Sequence, residues 1–177
     1  MPTRDTNDRK EDTVISIREE LCHFIRLNEQ ERRVCSGEAI EQLERFGDDL
    51  IPGLIECLKD GHPDVRHQAV RLLAAARPRS DGAVPKLIDR LVDEDWLIVT
   101  STILHLGDFG PLASAAIPQI EPWLESPSEY IRMLATTTIL RLDPSRTEFL
   151  PEIRNATTSD HPVVRSFARE FFDGPLA

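Results

Sequence analysis

Apolar residues recur along the chain with a period of 33 residues, and a proline marks the same place in each period. These prolines are Pro52, Pro85, Pro118 and Pro151. Proline fits the first turn of a helix, where its missing N–H would be unpaired in any case, so each one predicts a helix start. An apolar residue stands two positions after each proline and should face the core: Leu54, Leu87, Ile120 and Ile153.

A second helix is predicted in the later part of each period, where one buried stripe repeats at i, i+4 and i+8. The stripe begins with Val65, Ile98, Ile131 and Val164, continues with Ala69, Thr102, Ala135 and Ala168, and ends with Leu73, Leu106, Ile139 and Phe172. Short polar turns separate the two helices. One such hairpin cannot bury its own apolar face, so fixed-period hairpins are expected to stack on one another.

The segment before Pro52 looks like a degenerate first unit, in which Cys35, Ala39, Leu43 and Phe46 repeat the second-helix pattern before a helix stop at Gly47. The predicted helix pairs span residues 14–46, 50–77, 83–108, 115–142 and 146–173. Together they should form a single domain over residues 14–177. The polar residues 1–13 are expected to be a disordered lead.

Three segments of the chain resemble the short HEAT repeats of the type first noted in phycobilin lyases. They are IPGLIECLKDGHPDVRHQAVRLLA, VPKLIDRLVDEDWLIVTSTILHLG and LPEIRNATTSDHPVVRSFAREFF. Val65-Arg66 and Val164-Arg165 match the Val-Arg of the family pattern, Ile131-Arg132 matches it with Ile, and Ile98-Val99 lacks the arginine. The resemblance implies an all-α, right-handed α-solenoid of about five HEAT-like hairpins and implies no activity. Ankyrin repeats share the period, but their T-P-L-H-x-A signature is absent.

The charge balance narrows the class of partner. The net charge is −10, with −5 in residues 1–50 and −5 in residues 51–177, so no basic part of the chain is hidden by the total. Nucleic acids and anionic membranes draw on Lys and Arg, and neither is expected as a partner. A basic protein is favoured instead. No apolar run approaches the ~20 residues that cross a bilayer, and the polar N-terminus does not resemble a signal peptide, so we expect a cytoplasmic protein.

No motif for catalysis, metal binding or cofactor binding is present, and we expect neither an enzyme nor a cofactor. His62 and His161 are interpreted as turn residues. No His is followed by Glu, which excludes the iron-binding His-Glu pairs of the HEAT-like enzyme deoxyhypusine hydroxylase. The repeated arginines Arg66, Arg132 and Arg165 should pair with turn acids or helix-end carbonyls. The acidic group Asp89, Asp93, Glu94 and Asp95 is interpreted as solvated charge or, second, as a docking site for a basic partner.

The strongest candidates for contact with a partner are large aromatic residues beside the turns. Trp96 and Tyr130 stand at adjacent turns, although either could instead fold back and fill a gap between repeats. The predicted partner-binding set is Trp96, Leu97, Leu104, Tyr130, Met133, Leu134 and Phe167. Phe171 and Phe172 crowd the last helix with Phe167, which predicts either a cap formed by the tail or a homodimer through the C-terminal end.

Three functions are compatible with these features. The first is a non-enzymatic adaptor that binds another protein along the inner face and turn ridge of the solenoid. The second is a small acidic inhibitor, of the immunity type, that blocks a basic partner. The third is an enzyme subunit of the tetrapyrrole-lyase type.

Overall fold

A computed structural model describes the backbone of residues 6–29 and 36–173 and the side chains of residues 10–27 and 36–173. The chain is all-α, and no β-strand occurs within those two segments. The fold class predicted from the repeat pattern is therefore confirmed. None of the helices described is at once long enough and apolar enough to cross a membrane.

The described residues form α-helices of unequal length that are joined by turns. They are α1 (Thr6–Glu29), α2 (Ser36–Leu43), α3 (Leu50–Cys57), α4 (Pro63–Ala75), α5 (Val84–Ile88), α6 (Trp96–Leu106), α7 (Ile117–Ile120), α8 (Glu129–Leu142), α9 (Leu150–Ala156) and α10 (Pro162–Asp173). Short 3₁₀ segments precede or extend several of them, at Glu44–Asp49, Asp81–Ala83, Asp89–Val92, Gly107–Ala116, Glu121–Glu125 and Thr147–Phe149.

The chain divides into two compact units, one ending at Ser101 and the other beginning at Thr102, so that the division falls within α6. In the first unit, α1 packs against α3 and α4, and α4 also packs against α2 and α3. In the second unit, α8 is central and contacts α7, α9 and α10 together with the 3₁₀ segments on either side of α7. The prediction of one domain over residues 14–177 stays a prediction.

The prolines that set the period lie in the first turns of α3, α5, α7 and α9, as predicted. The apolar residues two positions later are fully buried: Leu54, Leu87, Ile120 and Ile153 are each 0 % exposed. Burying a Leu or Ile side chain completely contributes about 1.5–3 kcal/mol relative to leaving it in water. These four positions are therefore core positions of the repeat.

The stripe of the second helices is also buried, except at its last member. Val65, Ala69 and Leu73 of α4 are each 0 % exposed, whereas Phe172 of α10 is 39 % exposed. The neighbouring Phe171 is buried, like Leu72 and Thr138 at the same repeat position, and its ring meets Phe172 edge-on at 5.5 Å. In the part of the chain that the structure describes, no helix follows α10, and this leaves the i+8 side chain partly exposed.

The first helix begins earlier than the sequence pattern predicts. α1 starts at Thr6, so residues 6–13 are helical and the prediction of a disordered lead is wrong over that range. A helix that is already nucleated by packing extends at little cost into polar residues, which explains the early start. Gly47 has a φ of 55°, in the left-handed region that glycine reaches readily, and it interrupts the helical backbone where a stop is predicted.

The cysteines differ in burial. Cys57 is 2 % exposed, as expected for a small buried hydrophobe, and burial raises the pKa of its thiol to about 12. Cys22 is partly buried. Cys35 lies outside the described residues.

A buried hydroxyl in α8 offers a test of the core. Thr136 is 0 % exposed, and its Oγ1 has no hydrogen-bond partner within the described segments. Because an unpaired buried hydroxyl is costly, we expect Thr136→Val to raise the free energy of unfolding by about 1 kcal/mol in urea denaturation. Thr138→Val is the matched control: Thr138 Oγ1 donates to the Ile103 carbonyl at 3.3 Å, so its removal should lower the free energy of unfolding by about 1 kcal/mol. Equal changes of the same sign would contradict this account.

Candidate functional site

The turn between the two helices of a repeat has the same hydrogen bond in four successive repeats. A side-chain oxygen of Asp or Ser accepts the backbone N–H two residues later, which closes the turn. The pairs are Asp60 with His62 at 2.8 Å, Asp93 with Asp95 at 3.0 Å, Ser126 with Ser128 at 3.3 Å and Ser159 with His161 at 3.1 Å. His62 also caps α4, since its Nδ1 accepts the Asp64 N–H at 3.3 Å. This agrees with the interpretation of the histidines as turn residues.

Three repeats carry an arginine whose guanidinium donates a hydrogen bond to a backbone carbonyl of this turn. Arg66 donates to the carbonyl of Asp60 at 2.9 Å and Arg132 to that of Ser126 at 2.7 Å. Arg165 makes the equivalent bond to Ser159. The structural role predicted for these arginines is confirmed. In the remaining repeat the position is held by Val99, which is 4 % exposed.

Arg66 makes one contact that the other two arginines lack. Its Nε and Nη2 bind the two carboxylate oxygens of Asp93, at 3.0 and 2.8 Å, and so join the turn of one repeat to the next. The two side chains are only 6 % and 2 % exposed, and Arg90 adds a further contact to Asp93 at 3.2 Å. The interpretation of Asp93 as solvated charge is therefore wrong, because its carboxylate is buried within an ion pair. Glu94 beside it is 87 % exposed.

The buried carboxylate makes stability depend on pH. Burial alone would raise the pKa of Asp93, but hydrogen bonds from Arg66 and from the Asp95 N–H, with the charges of Arg66 and Arg90, lower it below the ordinary 3.8. A depressed pKa contributes stability that is present above pH 3.8 and is lost as the pH falls through the folded-state value. We therefore expect Asp93→Asn to unfold with a flatter pH dependence than the wild type below about pH 4 in urea titrations. Parallel curves for the two proteins would contradict the assignment.

The turn that precedes α6 exposes large apolar side chains. Val92, Trp96 and Leu97 are 80 %, 68 % and 45 % exposed. We call these three residues, together with the exposed Glu94, the Trp96 ridge. Trp96 and Leu97 were predicted as partner-binding residues, and Val92 was not. Val92 can be recognised in the sequence as a departure from the repeat. The other three repeats place polar residues at the same position, namely Lys59, Glu125 and Thr158.

α6 begins at Trp96 because Asp95 caps it, with Oδ1 accepting the Leu97 N–H at 2.8 Å. This cap fixes the backbone that carries the ridge. A shallow open groove of about 480 Å³ lies beside the Trp96 side chain. It is lined by Pro63, Arg66, Glu94, Asp95 and Trp96. Arg66 and Arg90 together carry two positive charges against the three negative charges of Asp93, Glu94 and Asp95, so the groove and the groups behind it have a net charge of −1.

The other predicted partner-binding residues belong to the second unit, and two of them are wrongly assigned. Met133 and Leu134 are 3 % and 1 % exposed, so both side chains belong to the core and offer a partner almost no surface. Met133 is enclosed because α9 and α10 both pack on α8, where it joins a core cluster that includes Ile153, Val164 and Phe171.

Tyr130 and Phe167 pack against the same cluster. Their rings meet edge-on at 6.2 Å, and each is partly buried. Leu104 is also partly buried. A smaller groove of about 260 Å³ runs beside these residues, lined by Glu129, Arg132, Met133, Glu152, Asn155, Ala156 and Ser159. Of the predicted partner-binding residues, Trp96 and Leu97 are the ones that are exposed.

Side chains that could ligate a metal are dispersed. Within residues 6–29 and 36–173, no three His, Cys, Asp or Glu side chains converge as ion ligands would. In the grooves described above, Arg66 binds Asp93, Arg132 binds the Ser126 carbonyl, and Glu129 accepts a hydrogen bond from the Ser159 hydroxyl. The Trp96 ridge carries one large exposed aromatic residue beside an open groove.

Taken together, the repeated hairpins, the shared turn bond and the buried stripes define a helical-repeat protein. A family model for HEAT repeats matches residues 26–107 and 51–139. The chain belongs to the HEAT-repeat family, which indicates a protein-interaction scaffold, since HEAT repeats generally bind proteins. A comparison with curated proteins finds no match.

Proposed function

We propose that this chain is a non-enzymatic adaptor that binds another protein through the Trp96 ridge. The observation that carries the proposal is the exposure of Trp96, at 68 %, beside an open groove at a capped helix end. Trp is the residue type most enriched at the energetic centre of protein interfaces. A Trp that is 68 % exposed is available for that role.

The comparison among repeats supports the same surface. The position of Trp96 is occupied by Pro63, Glu129 and Pro162 in the other repeats, and none of these offers a large apolar face. Val92 likewise replaces polar residues. A scaffold needs no exposed apolar side chains at these two positions, since the other repeats fold without them. We therefore attribute them to partner binding.

Site-specific photo-crosslinking tests the proposal. With the photoreactive p-benzoylphenylalanine in place of Leu97, illumination in extract of the native cells should yield a discrete crosslinked protein. Val163 stands at the same repeat position as Leu97 and is similarly exposed, at 54 % against 45 %, so the probe at Val163 is the matched control. Crosslinks to one protein from position 97 and none from position 163 are expected. The same pattern of crosslinks from both positions would contradict a specific site at the Trp96 ridge.

The finer subtype and shape are part of this proposal. The Val-Arg pairs at Val65-Arg66 and Val164-Arg165 support repeats of the phycobilin-lyase type, because both arginines bind the turn carbonyl six residues earlier. We infer a right-handed solenoid from the stacking that such hairpins require. Small-angle X-ray scattering would test it: a curve that fits a compact sphere would contradict a solenoid.

A homodimer through the C-terminal end is a separate proposal. It is supported by Phe172, which is 39 % exposed on the last described helix. The tail residues 174–177, predicted as an alternative cap, lie outside the described residues. We expect light scattering to show a dimer at high concentration that Phe172→Ser converts to a monomer. A wild-type monomer throughout would contradict the proposal.

A further inference from the structure

The surface around the Trp96 ridge carries more negative than positive charge. Arg66 and Arg90 both bind the buried Asp93, at 2.8 and 3.2 Å, and Arg66 also reaches the exposed Glu94 at 3.5 Å. Asp64, next to Pro63 at the groove, is half-exposed, and its neighbour His62 is charged only if protonated. The four carboxylates of Asp64, Asp93, Glu94 and Asp95 therefore meet two arginines, which leaves a net charge of −2 on this surface with His62 counted as neutral.

We propose that the Trp96 ridge binds a basic segment of its partner, in which Lys or Arg stands next to an aliphatic or aromatic side chain. The inference rests on the proposed function and adds the chemistry of the partner. Charge complementarity carries it, because a cation in this groove meets Glu94 and Asp95 without displacing Arg66 from Asp93. An acidic segment would meet only repulsion there.

The geometry assigns a role to each part of the ridge. The exposed face of Trp96 can hold a guanidinium or ammonium group by cation–π attraction, and Glu94 can accept its N–H donors. Val92 and Leu97, which are exposed on the same turn, offer apolar surface to a neighbouring side chain. The groove is open to solvent, so it suits a chain segment that lies across it better than an enclosed small molecule.

The net negative charge of the whole chain also favours a basic partner. With a net charge of −10, the chain attracts a basic partner at long range and speeds encounter at low salt. The exposed carboxylates of the ridge should make the interaction weaken as salt rises, since the screening length falls from about 10 Å at 0.1 M to about 3 Å at 1 M.

A random library of displayed dodecapeptides tests the partner chemistry directly. The library is selected on the wild-type chain and then depleted on Trp96→Ala, so that the remaining peptides depend on the ridge. We expect Lys or Arg adjacent to Leu, Met or an aromatic residue in these peptides. Glu94→Gln should weaken the selected peptides about threefold and Glu94→Lys about tenfold. Replacing the peptide's basic residue by Glu should restore binding to Glu94→Lys.

Each outcome of the selection has a distinct meaning. Peptides that depend on Trp96 but lack basic residues, or that bind Glu94→Lys as well as the wild type, would overturn the basic partner and leave the proposed function standing. A selection in which no peptide depends on Trp96 would overturn both. Lys86→Gln is a charge control, because Lys86 pairs with Asp89 on the surface outside the groove and should change binding less than twofold.

Discussion

Arg66→Met is expected to lower the free energy of unfolding by about 3 kcal/mol in urea denaturation at neutral pH. The substitution removes both hydrogen bonds to Asp93 and leaves that carboxylate, 2 % exposed, without its main partner. Breaking a buried ion pair on one side costs about 3–5 kcal/mol, because the remaining charge stays buried. The expected value is at the low end because Arg90 still contacts Asp93.

Arg132→Met is the control that isolates the ion pair. Arg132 occupies the same repeat position and makes the same bond to a turn carbonyl, but the residue that corresponds to Asp93 in the following repeat is Ser159. Its loss should cost about 1 kcal/mol, the value of an ordinary hydrogen bond. If both substitutions lowered the free energy of unfolding equally, the pairing with Asp93 would not be what stabilises this turn.

Trp96→Ala is expected to weaken binding of the crosslinked partner about 30-fold, as measured by titration calorimetry with purified proteins. A Trp at the centre of an interface typically contributes 2 kcal/mol or more, about a 30-fold change in the dissociation constant. The side chain is 68 % exposed in its own unit, so the free energy of unfolding should change by no more than about 0.5 kcal/mol. Binding and stability should therefore separate in this variant.

Val163→Ser is the control for the loss of an exposed apolar side chain outside the Trp96 ridge. Val163 is 54 % exposed at the repeat position of Leu97, and its loss should change the dissociation constant less than twofold. Partner binding that tolerates Trp96→Ala but fails with Val163→Ser would place the interface on the last repeat instead.

The repeat core was predictable from the sequence because it depends on periodicity. Leu54 and its equivalents lie two residues after a helix-starting proline, and each is fully buried. The pairing of Arg66 with a turn acid followed from the same register. Such positions depend on local helix geometry and on the packing of equivalent helices in successive repeats. Both can be inferred from the sequence of a single chain.

The candidate surface was only partly predictable, because exposure depends on which neighbour covers each face. Met133 and Leu134 lie on a helix that is packed from several sides, which the helical period alone does not show. The burial of Asp93 depends on two arginines, one of them 27 positions earlier in the chain. Val92 could have been found from its departure from the polar residues of the other repeats. The prediction that Phe172 is a buried member of the stripe is wrong, because no further described helix covers α10.

Hydrogen exchange of the chain, free and bound to its crosslinked partner, tests the central claim most directly. The claim is that a protein partner binds at the turn that carries Trp96. Exchange of the backbone amides of residues 92–97 should slow in the complex, while the equivalent turn at residues 158–163 exchanges as in the free chain. Unchanged exchange at residues 92–97, with protection at another turn, would contradict the account.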